Sequence, residues 1–295
     1  MTLIDLINAQ SARLMKAVVS FGHGTTNAFD EAAWLVLWTL RMPLPDLERH
    51  AQNEVSPEEE AKVLAMIDTR IETRQPAAYL TKEAWLQNVP FYVDERSIVP
   101  RSFIAEVLVD GEEDGQLDAW LSQDTHKVLD LCTGNGSLAC IAAMAVAEVM
   151  IDASDVSAEA LEVARINVDK HKLGDVITLI QSDGLANVRG PYDLILCNPP
   201  YVNSKSMAQL PDEYQREPAL ALAGGEDGMD FIRPLLADVA NHLTSIGVLV
   251  LEVGNERAHF ERAFGKLEVA WLETSAGSSQ VLVITKDALV RWSRK

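Results

Sequence analysis

The sequence predicts an α/β protein: a mostly parallel, doubly wound seven-stranded sheet with an antiparallel edge, preceded by a small helical part and a β-hairpin linker. Three observations predict it. From residue 127 onward, short apolar runs alternate with amphipathic helical segments. The first run ends in a glycine-bearing turn, Asp130-Leu131-Cys132-Thr133-Gly134-Asn135-Gly136, and the last two runs are joined by a Gly/Ser-rich turn with no helix between them.

Taken in order, apolar residues at helical spacing fill 3–19, 29–40 and 63–71. The third helix is announced by Ser56 as N-cap, Pro57 in the first helical position and Glu59 three residues after the cap. Pro76 should end it, so 1–75 reads as a small helical bundle and 76–100 as a linker. Within the linker, β-branched and aromatic residues flank Gln87-Asn88, a turn signal because Asn tolerates positive φ. The remainder, 101–295, carries predicted strands at 127–131, 149–153, 176–180, 192–196 and 247–253. Helices are predicted at 137–147, 158–171 and 229–243, and the edge strands at 267–271 and 280–284.

Charge excludes one broad class of partner. With 25 basic and 44 acidic residues the chain carries −19, and such a surface repels phosphate backbones, so no direct nucleic-acid partner is expected. A basic protein suits it better. The segment 1–75 holds 7 basic and 11 acidic residues, which leaves most of the excess on the larger C-terminal part. The first residues show no basic n-region or cleavage site, and no apolar run approaches the ~18 residues that span a bilayer. A cytoplasmic chain without membrane contact is expected. Cys132, Cys140 and Cys197 have no CxxC spacing and the six histidines form no ligand pair, so reduced thiols and no metal are expected.

The chemistry gathers at strand ends. Glycines in a strand-to-helix turn let a ligand approach the backbone, and the helix N-terminus offers free N–H groups. About twenty residues on, Asp155 at the end of the next strand can accept hydrogen bonds from both hydroxyls of a ribose. The third strand runs into Asp183-Gly184, where a carboxylate could receive an adenine amine. These residues outline a nucleoside crevice but do not distinguish a nicotinamide cofactor from S-adenosylmethionine. The stretch Asn198-Pro199-Pro200-Tyr201 after the fourth strand does. Its prolines fix their own φ and hold the preceding residues extended, giving a rigid pair of acceptors, the Asn198 side-chain oxygen and the Pro199 carbonyl, for the two hydrogens of a planar amino group. Tyr201 would pack on the flat face of the group that carries it.

On these residues, the chain resembles the class I S-adenosylmethionine-dependent methyltransferases of the HemK type, which methylate the side-chain amide nitrogen, N(5), of glutamine in proteins of the translation apparatus. The similarity spans nearly the whole chain, through RQPAAYLTKEAW from Arg74, PFYVDE from Pro90, VPR from Val99, DLCTGNG, SDGL, NPPY, EPALALAGGEDGMDFIR from Glu217 and LEVGN from Leu251. It implies a Rossmann-like fold in which Asp130, Cys132, Thr133, Gly134, Asn135 and Gly136 cradle the methionine part of the cofactor. Asp155 would take the ribose, Asp183 and Gly184 the adenine, and Asn198, Pro199, Pro200 and Tyr201 would form the catalytic platform, with Asn198 also beside the cofactor.

Pro100-Arg101 is followed by Ser102-Phe103-Ile104 and not by the proline, acid and threonine of the release-factor enzymes. The chain therefore looks like the branch acting on the third protein of the large ribosomal subunit, a basic substrate that the helical part would help dock. Cys132 and Asn88 stand where the family commonly has glycine and Phe103 where the branch has proline. Gly184 stands where the release-factor branch can carry an aromatic beside the adenine. Other readings are a release-factor methyltransferase, a nucleic-acid amino-methyltransferase and a binding factor without turnover.

Overall fold

The computed structural model describes residues 1–109, 115–121 and 125–294. Strands β3 (Lys127–Leu131), β4 (Met150–Asp155), β5 (Ile177–Gln181), β6 (Tyr192–Cys197), β7 (Leu243–Glu252), β8 (Ala270–Leu272) and β9 (Val281–Thr285) form one sheet in the order β5-β4-β3-β6-β7-β9-β8. The first five in that order are parallel and β9 runs against β7, as the alternating pattern predicts. Strand order reverses between β3 and β6, so their C-terminal ends leave a crevice where ligands of open α/β sheets bind.

The strands are apolar on both faces, and two core clusters cover them, one around Val128, Leu194 and Val250, the other around Leu129, Ile195 and Leu249. A third cluster joins helices α1 (Leu3–Lys16), α2 (Ala28–Thr39) and α3 (Pro57–Thr73). It also takes in Tyr79, Val93 and Val99 of the linker. Helix α3 starts at the expected capping box, Ser56 Oγ accepting from Glu59 N while Glu59 accepts from Ser56 N.

Several boundaries differ from expectation. The linker begins with a short helix, α4 (Ala77–Thr81), before the hairpin of β1 (Ala84–Leu86) and β2 (Val89–Phe91). The hairpin is tighter than 79–100 because Gln87 (φ 49°) and Asn88 (φ 61°) both take the left-handed conformation of a two-residue turn. The helix expected from 229 begins at Ile232, with Pro234 in its first turn where a missing N–H costs nothing, and passes into a tighter turn at Val239. Gly247 lies inside β7, not at its start. A Cβ there would stand 2.7 Å from the Tyr192 carbonyl oxygen, so the close crossing of β6 and β7 requires glycine. Short helices at Ile104–Val109, Arg257–Phe264 and Lys286–Ser293 were not expected.

Candidate active site

A cavity of about 360 Å³ opens at the C-terminal ends of β3, β4, β5 and β6. Of the expected cofactor residues, Cys132, Gly134, Asp155, Asp183, Gly184 and Asn198 line it together. At Gly134 (φ 55°) and Gly184 (φ 53°), both on the cavity wall, an added Cβ would meet open space, so bareness there serves the void and the backbone conformation.

The other loop residues act behind the wall. Asp130 is buried, accepting from Thr133 Oγ1 (2.5 Å) and Ala139 N (3.0 Å), which ties the turn to the helix Ser137–Ala145. Burial pushes its carboxyl up to about 7 against those two donors. Asn135, itself buried, accepts from Ser137 N at the start of the same helix and donates to the Tyr92 carbonyl at the hairpin's exit. Gly136 is needed for packing: a Cβ would sit 3.0 Å from Ala164 Cβ on the next helix. Thr133, Asn135, Gly136 and Asp130 thus shape the cradle without facing the cavity.

Cys132 has φ 63°, which explains why glycine suits this position; a side chain there costs about 1–3 kcal/mol of backbone strain. The neighbouring Cys197 thiol and desolvation both raise its own thiol well above the usual range.

Asp155, the residue expected at the ribose, lines the cavity at the end of β4. Its Oδ2 accepts from Gly134 N and its Oδ1 from Ser157 N, each at 2.9 Å, leaving each oxygen a second lone pair toward the cavity. Burial raises its carboxyl, opposed by these backbone donors. Replacing Asp155 by Ala is expected to weaken S-adenosylmethionine binding about 10- to 100-fold, the worth of charged hydrogen bonds of ~1.5–3 kcal/mol. Titration calorimetry reads this directly, and an unchanged Kd would place ribose recognition elsewhere.

Asn198 and Pro200 line the cavity's inner wall. Among the described residues, the Asn198 side chain has no hydrogen-bond partner, so its amide is available to a ligand. Tyr201 is placed differently from expectation. Its ring packs where a Cβ on Gly254 would come within 2.4 Å, and its hydroxyl donates to the buried Glu252 Oε1 at 3.1 Å. It does not line the cavity.

The far wall was not assigned from sequence. It comprises Arg96, Ser97 and Ile98 of the linker, then Pro218, Leu220, Ala221 and Phe231 after the acceptor loop. Arg96 is held by Asp94 and Glu162, so it contributes a wall and not a free cation. Glu217, without an assigned role in the sequence reading, is turned away: it accepts from Arg101 at both oxygens (2.7 Å each) and from Val99 N (2.8 Å). Burial would raise its carboxyl, but Arg101 overrides burial and holds it down to about 2. Arg101 in turn stacks 5.3 Å over the Tyr214 ring. The signal for these residues was present in the quoted EPALALAGGEDGMDF stretch; its partners, about 120 residues earlier, could not be read locally.

The residues fit a nucleoside with an attached amino-acid part: two carboxylates, bared backbone at Gly134 and Gly184, and apolar walls. Among the described residues, no group of His, Cys, Asp or Glu could hold a metal ion, and no helix is long and apolar enough to cross a membrane.

Comparisons with known proteins point the same way. The methyltransferase small domain family matches residues 116–213. The chain is 49% identical to a ribosomal protein uL3 glutamine methyltransferase of Bordetella pertussis, covering 98% of this chain and 96% of the relative. A protein of the same description from Neisseria meningitidis serogroup B is 45% identical over 98% and 94%. That of Bradyrhizobium diazoefficiens is 42% identical over 96% and 90%. Among solved structures, the hMettl16 catalytic domain in complex with the MAT2A 3′UTR hairpin 6 superposes with a TM-score of 0.52 at 13% identity, covering 84% of this chain and 90% of that one, which supports the fold alone.

Proposed function

The chain belongs to the family of ribosomal protein uL3 glutamine methyltransferases, and from that premise we propose how its own residues transfer a methyl group from S-adenosylmethionine to a glutamine side-chain amide of uL3. Asp155 holds the ribose, Asp183 the adenine, and the Cys132–Gly134 backbone the methionine part. The observation that carries this is the Asn198 side chain, without an internal partner, on the wall of the same cavity as Asp155 and Asp183.

When bound, S-adenosylmethionine supplies an electrophilic methyl on a sulfonium, and the N–C bond forms as the C–S bond breaks. An amide nitrogen is a poor nucleophile because its lone pair is delocalised into the carbonyl. Asn198 Oδ1 and the Pro199 carbonyl accept its two hydrogens, which favours a pyramidal nitrogen and fixes where its lone pair points. Placement of this kind is worth about 7–11 kcal/mol in the best cases. No base is needed before attack, because the nitrogen's proton becomes acidic only once the methyl has joined; it then leaves through the acceptors to water. Leu220, Ala221 and Phe231 give the cavity an apolar wall.

The −19 charge favours encounter with a basic ribosomal protein. The helices of 1–75 and the linker of 76–100 with its hairpin dock that protein, and 101–295 carries the transfer.

The test incubates the chain and S-adenosylmethionine with uL3 and, separately, with a peptide-chain release factor, followed by peptide mass spectrometry. A single added methyl on one glutamine amide of uL3 is expected. Modification of the release factor alone would keep the mechanism and overturn the substrate.

A further inference from the structure

We propose that Glu252 is a positioning residue for the transfer, holding the acceptor loop, the linker and the sheet edge together through one carboxylate; the inference rests on the reading of Asn198 above. Cys197 pairs with Leu251 across β6 and β7, which places Glu252 beside Asn198 at the same edge. Glu252 is 1% exposed. Its Oε1 accepts from the Tyr201 hydroxyl (3.1 Å), and its Oε2 accepts from Ser102 Oγ (2.7 Å) and Phe103 N (2.9 Å).

An ionised carboxylate, which only accepts, takes all three of these donors at once. An amide would have to turn its NH2 toward one of these donors. With its NH2 toward Tyr201 it would reverse that hydrogen bond, the hydroxyl oxygen now accepting; with its NH2 toward Ser102 and Phe103 it would lose the Phe103 N–H, which cannot accept.

Tyr201 is fixed on its other sides as well. Added Cβ atoms would stand 2.4 Å from its ring at Gly254, 2.3 Å from its carbonyl oxygen at Gly228 and 2.7 Å from its Cα at Gly224. With Tyr201 pinned, two prolines of fixed φ transmit its position back to Asn198. A loop freed at Tyr201 would leave the Asn198 acceptor misplaced relative to the cofactor, and transfers that depend on placement lose rate steeply with such shifts. None of the three partners of Glu252 lines the cavity, so cofactor binding does not depend on them.

The experiment measures kcat, KM for uL3 and the S-adenosylmethionine Kd in the full chain for Glu252→Gln, Tyr201→Phe and the double variant. Each single variant is expected to lose roughly 10-fold in kcat, within the ~10- to 100-fold typical of removing a supporting partner, with the Kd unchanged. The double variant should lose no more than the worse single one, as expected of residues acting as one unit. Tyr201→Phe keeps the ring's shape and so decides the matter if Glu252→Gln fails to fold. Full kcat in both single variants, multiplied losses in the double variant, or a loss confined to the Kd would each overturn the inference. Failure of the unaltered chain to methylate uL3 would instead overturn the functional reading on which it rests.

Discussion

Replacing Asn198 by Ala is expected to lower methyl transfer to uL3 by on the order of 10²- to 10³-fold while leaving S-adenosylmethionine affinity nearly unchanged. The size follows from what the residue does. In the proposed mechanism it supplies one of two acceptors that set the direction of a delocalised lone pair, and removal of a single preorganised hydrogen-bonding group in an enclosed site costs about that much. The sparing of affinity follows from its surroundings, because Asp155, Asp183 and the bared backbone at Gly134 and Gly184 remain in place. The side chain makes no hydrogen bond within the described chain, so its loss should not disturb the fold. Single-turnover kinetics and calorimetry on the same preparation separate the two effects. Full activity in the Ala variant would remove Asn198 from the platform, and a matching loss of affinity would make it a cofactor ligand only.

The second large effect concerns stability. Arg70 is fully buried, and its guanidinium reaches Glu31 Oε1 (2.9 Å), Glu213 Oε1 (3.2 Å) and the Ser20 carbonyl (2.9 Å). Arg74 adds a second cation to Glu213 and donates to the Val18 and Ala17 carbonyls. Glu31 lies on α2, Arg70 on α3 and Glu213 on the segment leading to Pro218 of the cavity wall.

Arg70→Met keeps most of the volume and deletes the charge, leaving Glu31 without its buried cation and Glu213 with Arg74 alone. Breaking such a pair costs about 3–5 kcal/mol. Glu31 already shows the penalty: burial raises its carboxyl, with Arg70 the largest opposing influence. A fall of that size in urea-unfolding free energy is expected, and a loss under about 1 kcal/mol, the range of exposed pairs, would show that the cluster does not hold the helices to the site.

The strand ends were the most legible part of the sequence. Asp155, Asp183 and Asn198 each terminate a short apolar run, and parallel strands buried on both faces leave few other ways to read such runs. Asp130 was equally legible as a strand-end acid, yet its side chain turned inward to Thr133 and Ala139, a choice decided by the turn's own unpaired donors. Tyr201 was read from chemistry as a face for the substrate, whereas the glycine at 254 and the acid at 252 draw it into the sheet edge. Those partners lie about 50 residues away, beyond any local pattern. The wall formed by Arg96–Ile98 and Pro218–Ala221 was missed for the same reason, since it exists only where the linker and the post-acceptor segment meet.

The Arg70 cluster also has a consequence for the order of events during synthesis. Glu213 follows Arg70 by 143 residues, so at ~5–20 residues per second the guanidinium waits about 7 to 30 seconds for its second carboxylate. Until then α2 and α3 share only half of the charge compensation that the finished interior provides. The helical part can therefore reach its final packing only after the acceptor loop has emerged, so it is made earlier than that loop yet matures no sooner.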